Sequence, residues 1–419
     1  MQLVAYGAQD IYLTGNPQIT FFKVVYRRHT NFAVESIEQT FNGQAEFGKR
    51  VTATISRNGD LIQQMYLEVV LPVIGNDGQM WTYGVGNALV KQAEIEIGGQ
   101  LIDRQYGDWM NIWTELTTPA GKRGGYDNMV GNKLPTGTIQ TGTLTAGVNV
   151  QRLYVPLQFW FNRNPGLALP LIALQYHEVK LNLELRSAGE LVNVAAPDVT
   201  TGLICKLYVD YVYLDTDERR RFAQVSHEYL IEQVQFTGSE SRAATENSKN
   251  VTLNFNHPVK ELVWVHTQAI HTALDAATGN RWFNYSGIAA GAAQDIDSFT
   301  SALLQLNGHD RFSVRFADYF RKVQNYEHHT RCPRVGKELD TDDARNQYIY
   351  SYSFALSPEE HQPSGTCNFS RIDNAVLQLK YGADTGFVAQ AAALSLNVYA
   401  VNYNVLRIMS GMGGLAYSN

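Results

Sequence analysis

Histidine and cysteine residues that stand close together are the first places where this sequence could support chemistry. His328 and His329 are followed by Cys332, and imidazole and thiolate groups are both good zinc ligands. Two adjacent histidines point in different directions on most backbones, and no second cysteine or further histidine stands nearby. A zinc site therefore stays an alternative that this cluster alone does not establish.

Other ionisable or glycine-rich stretches also fall short of a known catalytic pattern. The His-Glu pairs at 177–178 and 227–228 lack the HxH partner that a cupin-type metal site needs. The acidic stretch 340–343 lacks the spacing and glycine of an EF-hand. The stretch 121–125 lacks the flanking residues of a phosphate loop, so we interpret it as an exposed loop tip. GxSxG, HExxH and Walker A patterns are absent, so the sequence predicts no enzyme, cofactor or metal site.

Composition indicates a globular chain from a reducing compartment. The 419 residues include three cysteines, Cys205, Cys332 and Cys367, and no CxxC. We find no apolar run long enough for a membrane helix and no signal-peptide pattern, so we expect a cytosolic chain. The net charge of −6 argues against general nucleic-acid coating. The basic clusters at 26–29 and 219–221 are therefore interpreted as partners of acidic groups on neighbouring chains.

A series of alternating apolar and polar segments, typical of half-buried strands, occurs twice in the chain. The paired segments are Phe41–Gly43 with Phe236–Gly238, Val51–Ser56 with Val251–Asn256, Ile95–Gly99 with Leu304–Gly308, Val179–Leu185 with Ala375–Tyr381, and Leu207–Tyr213 with Val398–Asn404. Five matches in the same order indicate a duplication. We predict an all-β chain of two tandem eight-stranded jelly rolls, each with a short helix.

The short helix of each half is predicted from large residues at i, i+3, i+4 and i+7. These residues are Trp109, Ile112, Trp113 and Leu116 in the first half, and Phe316, Tyr319, Phe320 and Val323 in the second. Asp108 is the expected N-cap of the first helix.

The duplication also sets the expected domain boundaries. The N-terminal arm, residues 1–33, has no counterpart in the repeat. We place the first jelly roll at 34–214 and the second at 225–419. The charged stretch 215–224 reads as a solvated connector or a short linking helix.

The main alternative to a structural role is a function that involves glycans. Sequons stand at Asn250, Asn284 and Asn368. Asn250 and Asn368 abut predicted strands, so only Asn284 is expected to be exposed enough for glycosylation. Exposed aromatic residues could also stack on sugars, as in a lectin-like glycan-binding module or attachment protein, although packing under their own loop is favoured: Trp282, Phe283 and Tyr285.

Long ordered motifs across both halves resemble the major capsid proteins of nucleocytoplasmic large DNA viruses, and are most similar to the phycodnavirus type. The motifs are "GAQDIYLTGNPQITFFKVVYRRHTNFA" (7–33), "ISRNGDLI" (55–62), "NPGLALPLIALQYHEVKL" (164–181), "HEYLIEQVQFTGSE" (227–240), "QPSGTCNFSRIDNA" (362–375) and "YNVLRIMSGMGGLAYSN" (403–419). Their length and order make the match far more specific than a short motif.

This resemblance implies a structural virion protein that assembles with copies of itself. Three chains would form a homotrimer with a pseudo-hexagonal outline, and trimers would tile an icosahedral shell assembled in the host cytoplasm. Minor capsid proteins beneath the shell are the other implied partners; no specific nucleic acid is expected, and contact with an inner virion membrane would be indirect. The resemblance places the arm at the base of the capsomer, with these candidate contact residues: Asp10, Tyr12, Thr14, Arg27 and Arg28.

Overall fold

A computed structural model describes most of the chain. The described residues are 7–9, 29–72, 81–131, 151–192, 202–268, 282–288, 295–333, 348–382 and 393–417.

The described part of the first half of the chain forms ten strands. They are β1 (Phe32–Gln39), β2 (Phe41–Asn42), β3 (Arg50–Thr54), β4 (Leu61–Leu71), β5 (Val90–Ile97), β6 (Gln100–Tyr106), β7 (Gln151–Pro156), β8 (Leu169–Pro170), β9 (Val179–Leu185) and β10 (Ile204–Leu214).

The described second half contributes thirteen strands, several of them only two residues long. They are β11 (His227–Arg242), β12 (Ser248–Thr252), β13 (Pro258–Gln268), β14 (Gly287–Ile288), β15 (Asp295–Ile296), β16 (Ser301–Leu306), β17 (His309–Asp310), β18 (Arg315–Phe316), β19 (Tyr350–Ser353), β20 (Cys367–Asn368), β21 (Ala375–Lys380), β22 (Leu394–Met409) and β23 (Met412–Leu415).

Helices are short and lie between strands. The α-helices are α1 (Val85–Leu89), α2 (Gly107–Thr117), α3 (Ala120–Val130), α4 (Trp160–Arg163), α5 (Ala188–Leu191), α6 (Thr216–Gln224) and α7 (Gln324–His328). Single 3-10 turns occur at Pro165–Leu167, Leu171–Ala173 and Phe369–Arg371, and a π-helical turn at Tyr319–Val323 leads into α7.

Two antiparallel sheets form the first sandwich. Sheet I has the order β1-β10-β4-β7 with β8 on β4, and sheet II has the order β2-β3-β9-β5-β6. Along β4, Met65, Leu67 and Val69 are buried while Tyr66 and Glu68 are half-buried on the other face. This period-two alternation is what a strand with one core face requires.

The second sandwich repeats the topology of the main strands of the first, although sheet IV has no described strand equivalent to β2. Sheet III has the order β11-β22-β13-β19, and sheet IV has the order β12-β21-β16-β17, with short strands added at β18, β20 and β23. Each main strand occupies the same place in its sheet as its counterpart in the first half. The predicted duplication and the double jelly roll are therefore confirmed.

The glycines that end the repeated segments Ile95–Gly99 and Leu304–Gly308 lie in turns of equivalent conformation. Gly98 and Gly99 join β5 to β6 with φ of 60° and 84°, and Asn307 and Gly308 join β16 to β17 with φ of 52° and 76°. A two-residue hairpin turn with both central φ values positive matches the right-handed twist of its strands.

The helical stripe is confirmed in the first half and wrong in the second. The four predicted residues of α2 are buried, but Phe316 ends β18 and lies 41% exposed, and Val323 is 39% exposed. The N-cap of α2 is Tyr106, so Asp108 lies in the first turn and does not cap it. The periodicity predicted the apolar spacing in the second half, but it did not predict that strand β18 extends to Phe316.

The glycine-rich stretch 121–125 is another wrong expectation, because it lies within helix α3 rather than at a loop tip. Arg123 binds both Asp127, at 2.7 Å, and the buried Glu115 on α2. An i,i+4 pair and a tertiary ion pair offset the poor helix propensity of three glycines.

The linking segment forms helix α6 with Asp215 as its N-cap. Arg219 of this helix pairs with the buried Asp60 at 2.9 Å, and Phe222 packs on a small apolar cluster of the first sandwich. The main hydrophobic core is continuous through both sandwiches, so the two halves pack as one body.

Candidate assembly site

The contact between the two sandwiches, called the seam below, buries one face of sheet III. Strand β13 is buried on both faces along nearly its whole length. Trp264 faces the second sandwich's own core, while the opposite face carries Val263, which pairs with Tyr399. The ring of Tyr399 packs on Trp109 of helix α2, with centroids 5.3 Å apart. The first sandwich thus covers sheet III through helix α2.

Strand β11 and the first sandwich are joined residue by residue along the seam. The backbone N–H of Val234 donates to Asp103 at 3.2 Å, and the Gln233 side chain donates to the carbonyl of Ile102. Burial raises the pKa of Asp103 to about 6. A carboxylate is held in the seam, and its charge is disfavoured by loss of water.

A network of buried charges continues from this point into the second sandwich. Glu232 pairs with Arg163 of α4 at 3.1 Å and with the fully buried Lys260 at 2.8 Å. Burial alone would raise the pKa of Glu232, but His361, Lys260 and Arg163 together hold it at about 2. Arg163 also lies over the ring of Trp113, 4.1 Å from its centroid. Glu232 therefore stays charged and ties the two sandwiches together.

The His328–His329–Cys332 cluster is ion-paired rather than arranged around a metal. His329 is buried between Glu261, at 3.1 Å, and Glu359, at 3.0 Å. Burial lowers its pKa, but the two carboxylates outweigh this and raise it to about 9. His328 contacts the carbonyl of Leu356 instead. Within the described ranges, no group of three or more His, Cys, Asp or Glu side chains is placed to hold a metal ion.

The aromatic trio at 282–285 packs into the first sandwich and presents no sugar-stacking surface. The indole N–H of Trp282 donates to Asp108 at 2.8 Å, and the Arg186 guanidinium lies 4.3 Å from the ring centroid. Phe283 and Tyr285 are buried. The favoured expectation of packing is therefore right, although the packing partner is the other jelly roll rather than their own loop, and the lectin alternative has no support.

Asn284 was expected to be the exposed sequon, and this expectation is wrong. Its side chain is 1% exposed and accepts hydrogen bonds from the backbone and hydroxyl of Ser286. Asn250 in β12 and Asn368 in β20 are exposed instead. A polar side chain in a strand points to solvent every second residue, and no local pattern indicates that residues 282–286 dock into the first sandwich.

The two His-Glu pairs have structural contacts. The His177 ring contacts the backbone of Gly413, 3.0 Å from its carbonyl, and so joins the first sandwich to the β22–β23 hairpin. The His227 ring contacts the carbonyl of Phe222 at 2.8 Å. The predicted arm residues lie outside the described residues: Asp10, Tyr12, Thr14, Arg27 and Arg28. The acidic stretch 340–343 also lies outside them.

Among the described residues, two faces that carry aromatic side chains remain partly open in the single chain, and the first also carries the Arg152–Glu68 and Lys206–Glu38 ion pairs. The outer face of sheet I carries a row of aromatic rings: Tyr208 stacks on Tyr66 with centroids 5.4 Å apart, and Tyr66 meets Tyr154 edge-on at 6.2 Å. The second face belongs to the helical segment after β18, where Tyr326 is 81% exposed. Single exposed apolar residues are ordinary, but grouped ones indicate contact surfaces.

Sequence reasoning missed the residues that form the seam. Arg163 and Glu232 are 69 positions apart, and no spacing in the sequence links them. A faint signal existed in the four consecutive apolar residues 262–265 of β13, since a strand buried on both faces loses its alternation.

Comparison with known proteins assigns the family. Residues 20–215 match the family model described as the major capsid protein N-terminus, and residues 218–414 match that of the large eukaryotic DNA virus major capsid protein. This chain belongs to the major capsid proteins of large eukaryotic DNA viruses, and its role is structural.

Individual relatives agree over their full length. The chain is 54% identical to a major capsid protein of Pyramimonas orientalis virus and 47% identical to that of Paramecium bursaria Chlorella virus 1, covering 100% of this chain and 99% of each relative. A quasi-atomic PBCV-1 capsid structure superposes with a TM-score of 0.78 at 41% identity, covering 96% of this chain and 100% of that chain. No helix within the described residues is long and apolar enough to cross a membrane.

Proposed function

We propose that this chain forms a homotrimer with a pseudo-hexagonal outline and that such trimers tile an icosahedral viral shell in the host cytoplasm. The observation that carries the proposal is the repeated topology of the two sandwiches. Three chains with two equivalent sandwiches each would present six similar pillars around one axis. Many weak contacts between such pillars can hold a shell together.

The proposed units of the chain are an arm (1–33), two jelly rolls (34–214 and 225–419) and the linker 215–224. The break between the two family matches, at 215–218, supports this division, as does helix α6 at the same place. Strand β1 begins at Phe32, so the last residues of the arm lead directly into sheet I.

Light scattering of the purified chain tests the trimer. A particle of three 46.9 kDa chains is expected, and electron micrographs should show pseudo-hexagonal particles. A stable monomer at micromolar concentration would contradict the proposal.

We further propose that the arm contacts neighbouring capsomers or minor capsid proteins through Asp10, Tyr12, Thr14, Arg27 and Arg28. Deleting residues 1–28, which stops short of β1, should leave the trimer intact and impair lattice formation. Loss of folding in this variant would show instead that the segment belongs to the core of the first jelly roll.

A further inference from the structure

We propose that a cleft at the edge of the seam, called the seam cleft below, binds a guanidinium group of side-chain size. The cleft has a volume of about 230 Å³ and lies between strands β6 and β11. Ligand pockets usually measure about 300–1,000 Å³, so a cleft of this size fits one side-chain-sized group. The lining comes from β6, β11 and the segment after β12, and it includes Asp103, Arg104, Tyr106, Gln235, Phe236 and Asn254. Because the cleft forms within one chain, the proposal does not depend on the trimer.

Asp103 supplies the cleft with a buried carboxylate that has no cationic side chain within ion-pair distance among the described residues. Its carboxylate accepts hydrogen bonds from the Gln105 amide at 2.7 Å and from the backbone N–H of Val234 at 3.2 Å. Both donors are neutral. Arg163 acts on Asp103 only at longer range, because its guanidinium is paired with Glu232 at 3.1 Å. A buried charge without a counter-ion is costly, so a cation in the cleft would supply the missing partner.

The neighbouring cation, Arg104, is directed away from Asp103. Successive strand residues point to opposite faces of a sheet, and Arg104 lies on the outer face of sheet II, where it donates to Glu94 at 2.7 Å. Glu94 also accepts from Arg50 at 2.6 Å. The Arg50 and Arg104 side chains are 57% and 39% exposed, so solvent and salt screen their charge. The carboxylate of Asp103 therefore remains available to a cationic ligand.

Tyr106 and Phe236 give the cleft a rigid aromatic wall. Their ring centroids lie 5.1 Å apart in an edge-to-face arrangement, and Phe236 also stacks on Tyr399 at 4.9 Å. Gln235 is fixed beside them, since its side chain donates to the carbonyl of Asn256 at 2.6 Å and accepts from the N–H of the same residue at 2.9 Å. A wall that is already ordered loses little conformational entropy when a ligand binds.

A carboxylate beside aromatic rings favours a guanidinium group over an ammonium group. The planar guanidinium can donate two parallel N–H groups to a carboxylate while its face stacks on a ring. The chain already contains contacts of this kind: Arg242 lies 4.6 Å from the ring centroid of Tyr381. Asn254 is exposed at the cleft, and its amide oxygen can accept a donor that the carboxylate leaves free.

Asp103 lowers the stability of the empty chain, as expected of a group kept for binding. Burial raises its pKa to about 6, although the hydrogen bonds from Gln105 and Val234 and the charge of Arg163 oppose this. Tyr106 is the other titratable group that interacts with it. Above about pH 6 the folded chain thus keeps a charge that disfavours folding. Acidic groups with such shifted pKa values in clefts are typical of functional sites.

Binding of acetyl-arginine amide to the full-length chain tests the proposal. Acetyl-citrulline amide is the matched probe, because it has nearly the same shape and no charge. At pH 7.5 the melting temperature should rise with the concentration of the arginine probe, with a dissociation constant on the order of 1 mM. The citrulline probe should bind at least about tenfold more weakly.

Two variants assign the binding to the seam cleft. Asp103→Asn removes the charge but keeps the shape, and it should weaken binding of the arginine probe at least about tenfold. Asp310→Asn is the matched control and should bind like wild type, since Asp310 is an exposed residue of β17, the counterpart of β6.

The pH dependence gives a second, independent measurement. Because the pKa of Asp103 is about 6, only about one carboxylate in ten is ionised at pH 5, whereas a guanidinium stays charged. Wild-type affinity for the arginine probe should therefore fall about tenfold between pH 7.5 and pH 5. The Asp103→Asn variant should show no such fall.

Several outcomes would overturn the proposal: equal binding of the two probes, full binding by Asp103→Asn, or no saturation at about 10 mM of the arginine probe. A five-residue peptide with one central arginine identifies the source of the guanidinium. Tighter binding of this peptide than of the single-residue probe indicates an arginine on a partner protein. Equal binding indicates a free small molecule that carries the group.

Discussion

Raising the pH should remove stability from the second sandwich through His329. The pKa of this imidazole is raised from 6.5 to about 9 because, against the effect of burial, Glu261 and Glu359 hold its charged form. A group whose pKa is raised on folding stabilises the protein fully below the unfolded value and loses that contribution as pH rises through the folded value. The affected window is therefore about pH 6.5 to 9.

The magnitude follows from the shift. About 1.4 kcal/mol per pKa unit gives a contribution of about 3 kcal/mol. At about 2 cal/mol/K of unfolding entropy per residue, this corresponds to a melting temperature change of about 3–4 °C for a chain of this length. His329 is buried, so solvent does not screen the pair.

Thermal unfolding of the wild type and of His329→Gln at pH 6, 7.5 and 9.5 isolates this group. The variant should be less stable at pH 6, and the difference from wild type should shrink by about 3 kcal/mol at pH 9.5. Other titrating groups are common to both proteins and cancel. A difference that stays constant across the three pH values would refute the assigned charge state of His329.

Three further changes probe the turn, the seam and the docked indole. Gly98→Ala should cost at least about 2 kcal/mol in chemical denaturation, since its Cβ would collide with the His177 ring, whereas Gly99→Ala, in open space, should cost only about 1 kcal/mol of backbone strain; equal losses would contradict the contact. Asp103→Asn should gain about 3 kcal/mol relative to wild type between pH 3.5 and 7, because burial raises the pKa of Asp103 from 3.8 to about 6 and its charge is costly above that pH; a pH-independent difference in melting temperature would argue against it. Trp282→Ala should cost about 3 kcal/mol, and a loss below about 0.5 kcal/mol would show that the indole is not docked.

Local chemistry in the sequence predicted much of each sandwich. Alternation placed the strands, and the Gly-Gly and Asn-Gly pairs marked equivalent hairpin turns, because both signals depend only on neighbours along the chain. Two of the errors involve the same contact between the halves. Asp108 was read as a cap and Asn284 as exposed, but Asp108 binds Trp282 of the other half, and Asn284 lies in that same docked segment.

Contacts between the halves follow no period along the sequence, so the sequence does not indicate which residues pair. The ion pair of Arg163 with Glu232 joins a helix of the first half to a strand of the second. The duplication itself held the missing information. Positions that match between the halves in topology but differ in exposure point to a surface that is buried in one copy of the repeat and open in the other.

The docking of Trp282 has a consequence for how this gene can change. The indole belongs to the second half of the sequence, but its partners Asp108 and Arg186 belong to the first. A recombination event that exchanged only one half of the gene between two related viruses would combine an indole with a docking site from a different protein. The two would have been selected separately. We expect viable chimeras to keep residues 282–286 together with the matching first half, so that crossover points follow this contact rather than the linker.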